Sequence, residues 1–312
     1  MAKTALLFAG QGAQVVGMGR DLVEHFASAR AWFERANSTL GYDLRQICFF
    51  GPEPELTKTE HAQPGIFLVS WIALQLLKER IPNLEIGATA GLSLGEFTAL
   101  AAAGALSFED ALRLVRQRGR FMQEACEATH GAMAAIIGLD ETPAREVCAE
   151  AGVALANLNC PGQLVISGEA ESITKACELA KTKGARRALP LTVAGAYHSP
   201  LMTGAQPKLS AELERVVVSA PQVMVISNVT ARPHETPQTI RARLVEQVTS
   251  SVRWEESMRY LLKQGFNRFI ELGPGSALSG FMKRIDKNAA TFNVADVPSL
   301  ETTTASLLAQ PA

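Results

Sequence analysis

The chain has 312 residues, of which 47% are hydrophobic and 20% are charged, and its formal net charge is −1. This composition is that of an ordinary globular protein, and the length suffices for one large domain or two smaller ones. A net charge so close to zero argues against a general affinity for nucleic acid or anionic membranes. We therefore expect neither a nucleic-acid partner nor a membrane partner.

The cysteines and the apolar runs indicate the compartment. The five cysteines have no C-x-x-C spacing, and they are Cys48, Cys126, Cys148, Cys160 and Cys177. An odd number without such spacing predicts no disulfide framework and no zinc site. The apolar run at 5–9 is shorter than a signal-peptide core, and no run has the length of a membrane span. The sequence therefore predicts a cytoplasmic protein.

The first predicted strand, at residues 3–9, ends in the loop Gly10-Gln11-Gly12. A glycine-rich loop after a first strand suggests a nucleotide site, but glycines at 10, 12, 17 and 19 fit neither the dinucleotide fingerprint nor a Walker loop. Such a loop can instead supply a backbone N–H to a neighbouring site. Apolar spacing then predicts one helix over 21–40 and a second, buried helix over 63–80.

The turn Gly91-Leu92-Ser93-Leu94-Gly95-Glu96 joins a short apolar strand, 86–90, to an alanine-rich helix, 97–103. Gly-x-Ser-x-Gly between a strand and a helix is the pattern of a nucleophile elbow. The glycines let the two elements approach closely, and the serine hydroxyl points out of the sheet. A turn whose serine only caps the helix has the same spacing, so the motif alone leaves catalysis and capping both open.

The next helix begins at Ser107 and carries an apolar stripe from Ala111 to Ala125. One position of that stripe is an arginine, Arg118. An unpaired guanidinium on an inward-facing stripe is very costly, so its partner must be either a protein carboxylate or a ligand. The spacing leaves both alternatives open.

Residues 131–197 differ from the rest of the chain in the order of their predicted elements, which is β-α-β-β-α-β. The predicted strands are 131–139, 153–159, 163–168 and 187–195, and the helices are 142–151 and 171–184. This is the ferredoxin-like order, and it is complete within about 65 residues. Because α/β alternation resumes afterwards, we predict a small domain inserted into a larger one, whose parallel sheet is covered on both faces.

His198 lies where the predicted insertion returns to the larger domain. By position it ranks first among the five histidines as a candidate base, although a histidine at a domain junction is more often a structural hydrogen bonder. Asn228-Val229-Thr230 matches a glycosylation sequon and is interpreted as a turn. After Leu300 we predict only a thin tail.

Several motifs together carry a resemblance to one family. They are Gly10-Gln11-Gly12, Gly91-x-Ser93-Leu94-Gly95-Glu96, Arg118-Gly119-x-x-Met122-Gln123, Asn157-x-Asn159-x-Pro161-Gly162-Gln163, His198-Ser199-Pro200-Leu201-Met202, Gln247-Val248-Thr249 with Val252-Arg253-Trp254, and Glu271-Leu272-Gly273-Pro274-Gly275. In order and spacing the chain resembles the malonyl-CoA:acyl carrier protein transacylases and the related acyltransferase domains of polyketide and fatty acid synthases. The resemblance covers about residues 4 to 300.

The resemblance implies Ser93 as nucleophile and His198 as its base. The backbone carbonyl of Gln247 would orient the histidine in place of a triad acid. The backbone N–H groups of Gln11 and Leu94 would form the oxyanion hole. The implied fold is an α/β, hydrolase-like large domain with a largely parallel sheet, over residues 1–127 and 198–312, plus an inserted ferredoxin-like (βαββαβ) small domain over 128–197.

The resemblance also implies a substrate pocket in which Arg118 binds the free carboxylate of malonyl. The further substrate-binding positions that it implies are Leu92, Asn157, Tyr197 and Gln247. Leu92 stands where many relatives have histidine, and Tyr197 replaces a frequent phenylalanine beside the α-carbon pocket. Strict preference for malonyl over methylmalonyl is therefore left open.

The implied activity passes malonyl from malonyl-CoA through a Ser93 acyl-enzyme to the phosphopantetheine thiol of acyl carrier protein. It requires no metal and no redox cofactor, and we expect a monomer. Because acyl carrier proteins are acidic, the basic pairs Arg186-Arg187 and Lys283-Arg284 are candidates for the carrier surface, with ordinary solvated charge as the alternative. The rival functions are a serine hydrolase or thioesterase, a transferase of another extender unit, and a non-enzymatic carrier-binding scaffold.

Overall fold

The structure is a computed structural model that describes residues 2–309. Met1 and residues 310–312, at the two ends of the predicted large domain, lie outside the described residues. The strands are β1 (Lys3–Phe8), β2 (Ala88–Gly91), β3 (Gly131–Ile137), β4 (Ala154–Cys160), β5 (Gln163–Glu169), β6 (Arg187–Pro190), β7 (Met224–Ile226), β8 (Phe266–Leu272) and β9 (Ala290–Val294).

The helices surround these strands. They are α1 (Arg20–His25), α2 (Ala27–Leu40), α3 (Leu44–Phe50), α4 (Glu53–Thr57), α5 (Thr59–Arg80), α6 (Gly95–Ala102), α7 (Phe108–Glu127), α8 (Glu141–Ala151), α9 (Ala170–Thr182), a 3₁₀ helix (Pro200–Ala205), α10 (Gln206–Glu214), α11 (Pro237–Gln247), α12 (Trp254–Lys263), α13 (Ala277–Ile285) and α14 (Val297–Leu308). Within residues 2–309, none of these helices combines the length and the hydropathy that crossing a membrane requires.

Five strands form a parallel sheet in the order β7-β2-β1-β8-β9. Successive side chains of a strand point to opposite faces, and β1 shows this in its packing. Leu6 and Phe8 belong to the core that contains α5 and α7, whereas Ala5 and Leu7 belong to the core that contains α12 and α13. The predicted parallel sheet with helices on both faces is confirmed.

The remaining four strands form a separate antiparallel sheet in the order β4-β5-β3-β6. Helices α8 and α9 pack against it and enclose a third core. The predicted β-α-β-β-α-β order is confirmed, but the last strand ends at Pro190 and not at Gly195. Beyond it the Val193 N–H donates to the Leu191 carbonyl at 3.1 Å. This turn carries the chain into the wall of a cleft.

Three predictions about the helices are wrong in part. The buried helix predicted over 63–80 begins earlier, because α5 spans Thr59–Arg80. The helix predicted over 21–40 is two helices, α1 and α2, because Phe26 between them has extended backbone (φ −123°, ψ 121°). Its ring still packs on the core, so the apolar spacing continues across the break. The tail predicted after Leu300 is the greater part of α14, which buries Leu300, Thr303 and Leu307.

Candidate active site

A cleft of about 670 Å³ lies at the carboxyl ends of β1, β2 and β8, between the two sheets. Ligand sites of parallel α/β sheets occur at this edge. Its walls come from the loop after β1, the turn after β2 and the segment after β6. The predicted site residues that line it are Gln11, Leu92, Ser93, Asn157, Tyr197 and His198.

Ser93 stands at the apex of the turn between β2 and α6, in the left-handed backbone region with φ 54°. A Cβ atom on Gly91 would overlap the backbone of Gly95, and one on Gly95 would overlap the carbonyl oxygen of Phe8. Only glycine permits this close approach of strand and helix. The predicted strand–turn–helix is confirmed, and its strain at a non-glycine residue is typical of functional sites.

His198 connects Ser93 to the end of α11. Its Nε2 lies 2.7 Å from Ser93 Oγ, and its Nδ1 lies 2.9 Å from the backbone oxygen of Gln247. A carbonyl oxygen can only accept, so Nδ1 carries the proton and Nε2 is free to accept one from the serine. The structure therefore brings together three residues that are widely separated in the sequence.

The environment of His198 keeps its imidazole neutral. Burial lowers the pKa of His198 most, and the positive charge of Arg118 lowers it further, from 6.5 to about 4. Both effects disfavour the charged form of the ring. At neutral pH the histidine is therefore in the form that can accept a proton.

Arg118 is 1% exposed and borders the serine hydroxyl. Its Nη1 donates to Gln63 Oε1 at 2.7 Å, and its Nη2 donates to Ser93 Oγ at 3.0 Å and to Gln247 Oε1 at 2.9 Å. Among the residues that the structure describes, no carboxylate lies within ion-pair distance of it. Burial lowers the pKa of Arg118 only to about 10, so the guanidinium is charged at neutral pH. It therefore places a positive charge beside Ser93 that no carboxylate of the described residues pairs directly.

Among residues 2–309, the backbone N–H groups of Gln11 and Leu94 donate to no protein group. Leu94 precedes the first turn of α6, where N–H groups have no partner within the helix. The Gln11 side chain is held by Thr59 Oγ1, which donates to its Oε1 at 2.7 Å, and by Tyr197 OH at 3.4 Å from its Nε2.

A buried polar cluster lies behind the turn, and the sequence motifs predict no role for it. Asn228, which the sequence predicts to be part of a turn, accepts from the Ser93 N–H at 2.6 Å and donates to the Gly91 oxygen at 2.7 Å. Glu96 is 0% exposed and accepts from His234 Nε2 at 2.7 Å. An acid within the otherwise apolar start of α6 was the signal that could have found this cluster.

Three of the four predicted basic residues line a second groove. Its lining residues are Ile137, Gln163, Arg186, Arg187, Leu189 and Arg284. Lys283 is exposed on α13 outside that lining. Arg284 also donates to Gln163 Oε1 at 2.7 Å and to the Pro161 oxygen at 2.6 Å, so it ties α13 to the turn between β4 and β5.

The chain is similar to known proteins over nearly its whole length. The acyl transferase domain family matches residues 5–305. The malonyl CoA-acyl carrier protein transacylase of Bacillus subtilis (strain 168) is 46% identical over 306 residues, 96% of each chain. The structure of the malonyl CoA-acyl carrier protein transacylase from Coxiella burnetii superposes with a TM-score of 0.95 at 36% identity, over 98% of both chains. A malonyl-transacylase solved in complex with its type II PKS acyl-carrier protein has a TM-score of 0.94 and 38% identity, over 98% of this chain and 100% of that chain.

Proposed function

Because the chain belongs to the acyl transferase domain family, we propose that it transfers malonyl from malonyl-CoA to the phosphopantetheine thiol of acyl carrier protein. The observation that carries this proposal is the Arg118 guanidinium, 3.0 Å from Ser93 Oγ and without a carboxylate partner among the described residues. A serine nucleophile beside such a cation suits an acyl group that ends in a carboxylate.

In the first half-reaction, Ser93 Oγ attacks the thioester carbonyl while His198 Nε2 takes its proton. The oxyanion that forms would be held by the N–H groups of Gln11 and Leu94. The C–S bond then breaks, and the protonated His198 returns the proton to the departing CoA sulfur. The Gln247 carbonyl keeps the imidazole in the productive tautomer throughout.

In the second half-reaction, the carrier thiol takes the place of CoA. His198 Nε2 removes the thiol proton, and the sulfur attacks the malonyl ester on Ser93. The C–O bond breaks, and Ser93 Oγ recovers the proton from His198. Every group in this ping-pong scheme comes from the chain or its two substrates, so we propose that it operates without metal or cofactor.

The pH dependence of loading tests the assignment of the base. We expect kcat/KM for malonyl-CoA to stay level from pH 7 down to about pH 5, and to fall as the pH approaches about 4. The sign follows because protonated His198 cannot accept the serine proton, and its pKa is lowered. Stopped-flow CoA release across pH measures the profile. An acidic limb near the ordinary histidine value of 6.5 would contradict the lowering of the His198 pKa by burial and by Arg118, and the absence of any acidic limb down to about pH 4 would contradict the assignment of His198 as the base.

The two sheets support a division of the chain into two domains. We infer a hydrolase-like large domain over 1–127 and 198–312 and a ferredoxin-like small domain over 128–197, since each sheet is confined to one of these parts. We also propose that the chain acts as a monomer, because Ser93, His198, Gln247 and Arg118 form a connected hydrogen-bond network within one chain that needs no residue from a second copy. A cytoplasmic location is supported by the five cysteines, which are all free and buried.

The groove lined by Arg186, Arg187 and Arg284 is our proposed carrier surface. Residues distant in the sequence converge there with the exposed side chain of Leu189, which suits an acidic partner with an apolar contact. Lys283, outside the lining, would contribute long-range attraction only.

Reversing one charge of that groove tests the carrier surface. We expect Arg187→Glu to raise the KM for acyl carrier protein about tenfold at low salt, with the KM for malonyl-CoA unchanged. Arg187 is chosen because Arg284 also holds the β4–β5 turn. Arg215→Glu, which reverses an exposed charge at the end of α10 outside the groove lining, is the matched control. A carrier KM that is equal in both variants would refute this surface.

The fate of malonyl-CoA separates a transferase from a hydrolase. The partner of His198 Nδ1 is a carbonyl and not a carboxylate, which argues against a hydrolase triad. With carrier present, we expect CoA release to match malonyl-carrier formation in amount and rate. Without carrier, release should stop after about one equivalent per enzyme. Sustained release without carrier would favour the hydrolase.

A further inference from the structure

Glu96 is a fully buried carboxylate that the proposed mechanism does not use. It lies in the first turn of α6, next to the turn that carries Ser93, and is 0% exposed. One oxygen, Oε1, accepts from His234 Nε2 at 2.7 Å. The other, Oε2, accepts from Gln247 Nε2 at 2.6 Å and from the Asn228 backbone N–H at 3.0 Å. A buried carboxylate with three donors needs an explanation beyond packing.

The contacts of Glu96 decide which way the Gln247 amide points. A carboxylate oxygen only accepts, so the NH₂ end of Gln247 must face Glu96. The same nitrogen donates to the Ser93 carbonyl at 3.0 Å. The oxygen end therefore faces Arg118, whose Nη2 donates to it at 2.9 Å. Glu96 and Arg118 thus bind opposite ends of one amide.

This arrangement separates two opposite charges by a single neutral group. All the hydrogen-bond acceptors of Arg118 in the described structure are neutral: Gln63, Gln247 and Ser93. The charge of Glu96 nevertheless acts on the guanidinium and opposes the effect of burial on its pKa. A direct ion pair would occupy the guanidinium, whereas a carboxylate one amide away stabilises it and leaves it open to a ligand.

We infer that Glu96 is a positioning residue that orients Gln247 and supplies the remote counter-charge of Arg118, thereby setting how strongly a carboxylate-bearing acyl group is held. The inference rests on the proposed malonyl transfer. It predicts that Glu96 weakens malonyl binding by like-charge repulsion while it keeps the buried guanidinium and the amide in place.

Two substitutions separate charge from position. Glu96→Gln keeps the shape and removes the charge. Its oxygen can still accept from Gln247 and Asn228, and its NH₂ can donate to His234 Nε2. That requires the His234 proton to move to Nδ1, which has no partner among the described residues. Glu96→Asp keeps the charge but withdraws it by one methylene from Gln247, and it is the matched control.

Binding is measured by calorimetry with malonyl-CoA and acetyl-CoA, in a Ser93→Ala background that prevents turnover. For Glu96→Gln we expect the Kd of malonyl-CoA to fall about tenfold, because repulsion between two carboxylates on either side of Arg118 is removed. The Kd of acetyl-CoA, which has no carboxylate, should stay the same. For Glu96→Asp the ratio of the two Kd values should match that of the Ser93→Ala parent.

The outcomes distinguish this inference from the proposed function. Equal Kd values for the two ligands in the Ser93→Ala parent would overturn the assignment of Arg118, and the inference with it. If the parent prefers malonyl-CoA but folded Glu96→Gln binds both ligands more weakly, or binds malonyl-CoA unchanged, only the inference fails. If Glu96→Gln does not fold, the inference is tested instead by the kcat of Glu96→Asp in a protein that retains Ser93. A kcat about fivefold lower for both acyl-CoAs supports positioning, and an unchanged kcat overturns it.

Discussion

The Ser93→Ala variant is expected to transfer malonyl to acyl carrier protein at least about 10⁴-fold more slowly than the wild-type enzyme. Alanine has no hydroxyl, so the acyl-enzyme cannot form, and the remaining groups can only bind the substrate. In this variant Arg118 keeps Gln63 and Gln247 as hydrogen-bond partners, and His198 keeps the Gln247 carbonyl. Initial rates of malonyl-carrier formation measure the loss.

A matched serine controls for this substitution. Ser167 in β5 is buried, and its hydroxyl has no hydrogen-bond partner among the described residues. Ser167→Ala should retain wild-type transfer, and thermal unfolding should show that both variants are folded. Transfer by folded Ser93→Ala within tenfold of wild type, on the order of 1.4 kcal/mol in the barrier, would exclude Ser93 as the nucleophile.

Arg118→Met is expected to remove the preference for malonyl. We expect kcat/KM for malonyl-CoA to fall on the order of 10²–10³-fold, because two charge-assisted hydrogen bonds to the carboxylate are lost. The acetyl group of acetyl-CoA has no carboxylate that could bind Arg118, so its kcat/KM should change by less than about threefold. Methionine fills much of the space of the arginine stem, which limits the cavity left in the core. Rates of loading with each acyl-CoA provide the comparison.

Arg120 on the same helix controls for the loss of charge. Its side chain is 49% exposed and lies 3.5 Å from Glu124, so Arg120→Ala should leave both acyl-CoA rates unchanged. Parallel losses for malonyl-CoA and acetyl-CoA in Arg118→Met would mean that Arg118 supports the structure of Ser93 and His198 only. A selective loss would identify it as the group that recognises the acyl carboxylate.

Much of the fold was predictable because local patterns determine it. The alternation of short apolar strands with helices predicts the parallel sheet, and the change of rhythm at residue 131 predicts the second sheet. The failures occur where packing overrides pattern. Phe26 interrupts a helix although its apolar spacing is regular, and α14 forms after Leu300 because it can bury apolar side chains against the core.

The candidate site was predictable only in part. Ser93 carries a local motif, and Arg118 is an anomaly within an apolar stripe, so both are visible in the sequence. His198 and Gln247 come from distant segments, and it was the resemblance to a family that joined them to Ser93. The hydrogen bond from the Asn228 backbone N–H to the Glu96 carboxylate joins residues 132 positions apart, and no local pattern predicts such a contact.

Intact-mass spectrometry of the wild-type protein tests most directly whether Ser93 carries malonyl between two thiols. After mixing with malonyl-CoA, we expect the mass of the enzyme to rise by one malonyl group, and the added mass to map to Ser93. When acyl carrier protein is then added, the enzyme should lose the malonyl group and the carrier should gain it. Acetyl-CoA should load far less under the same conditions. An unmodified Ser93 with continuing CoA release, or a malonyl group that never passes to the carrier, would contradict the proposed role of Ser93.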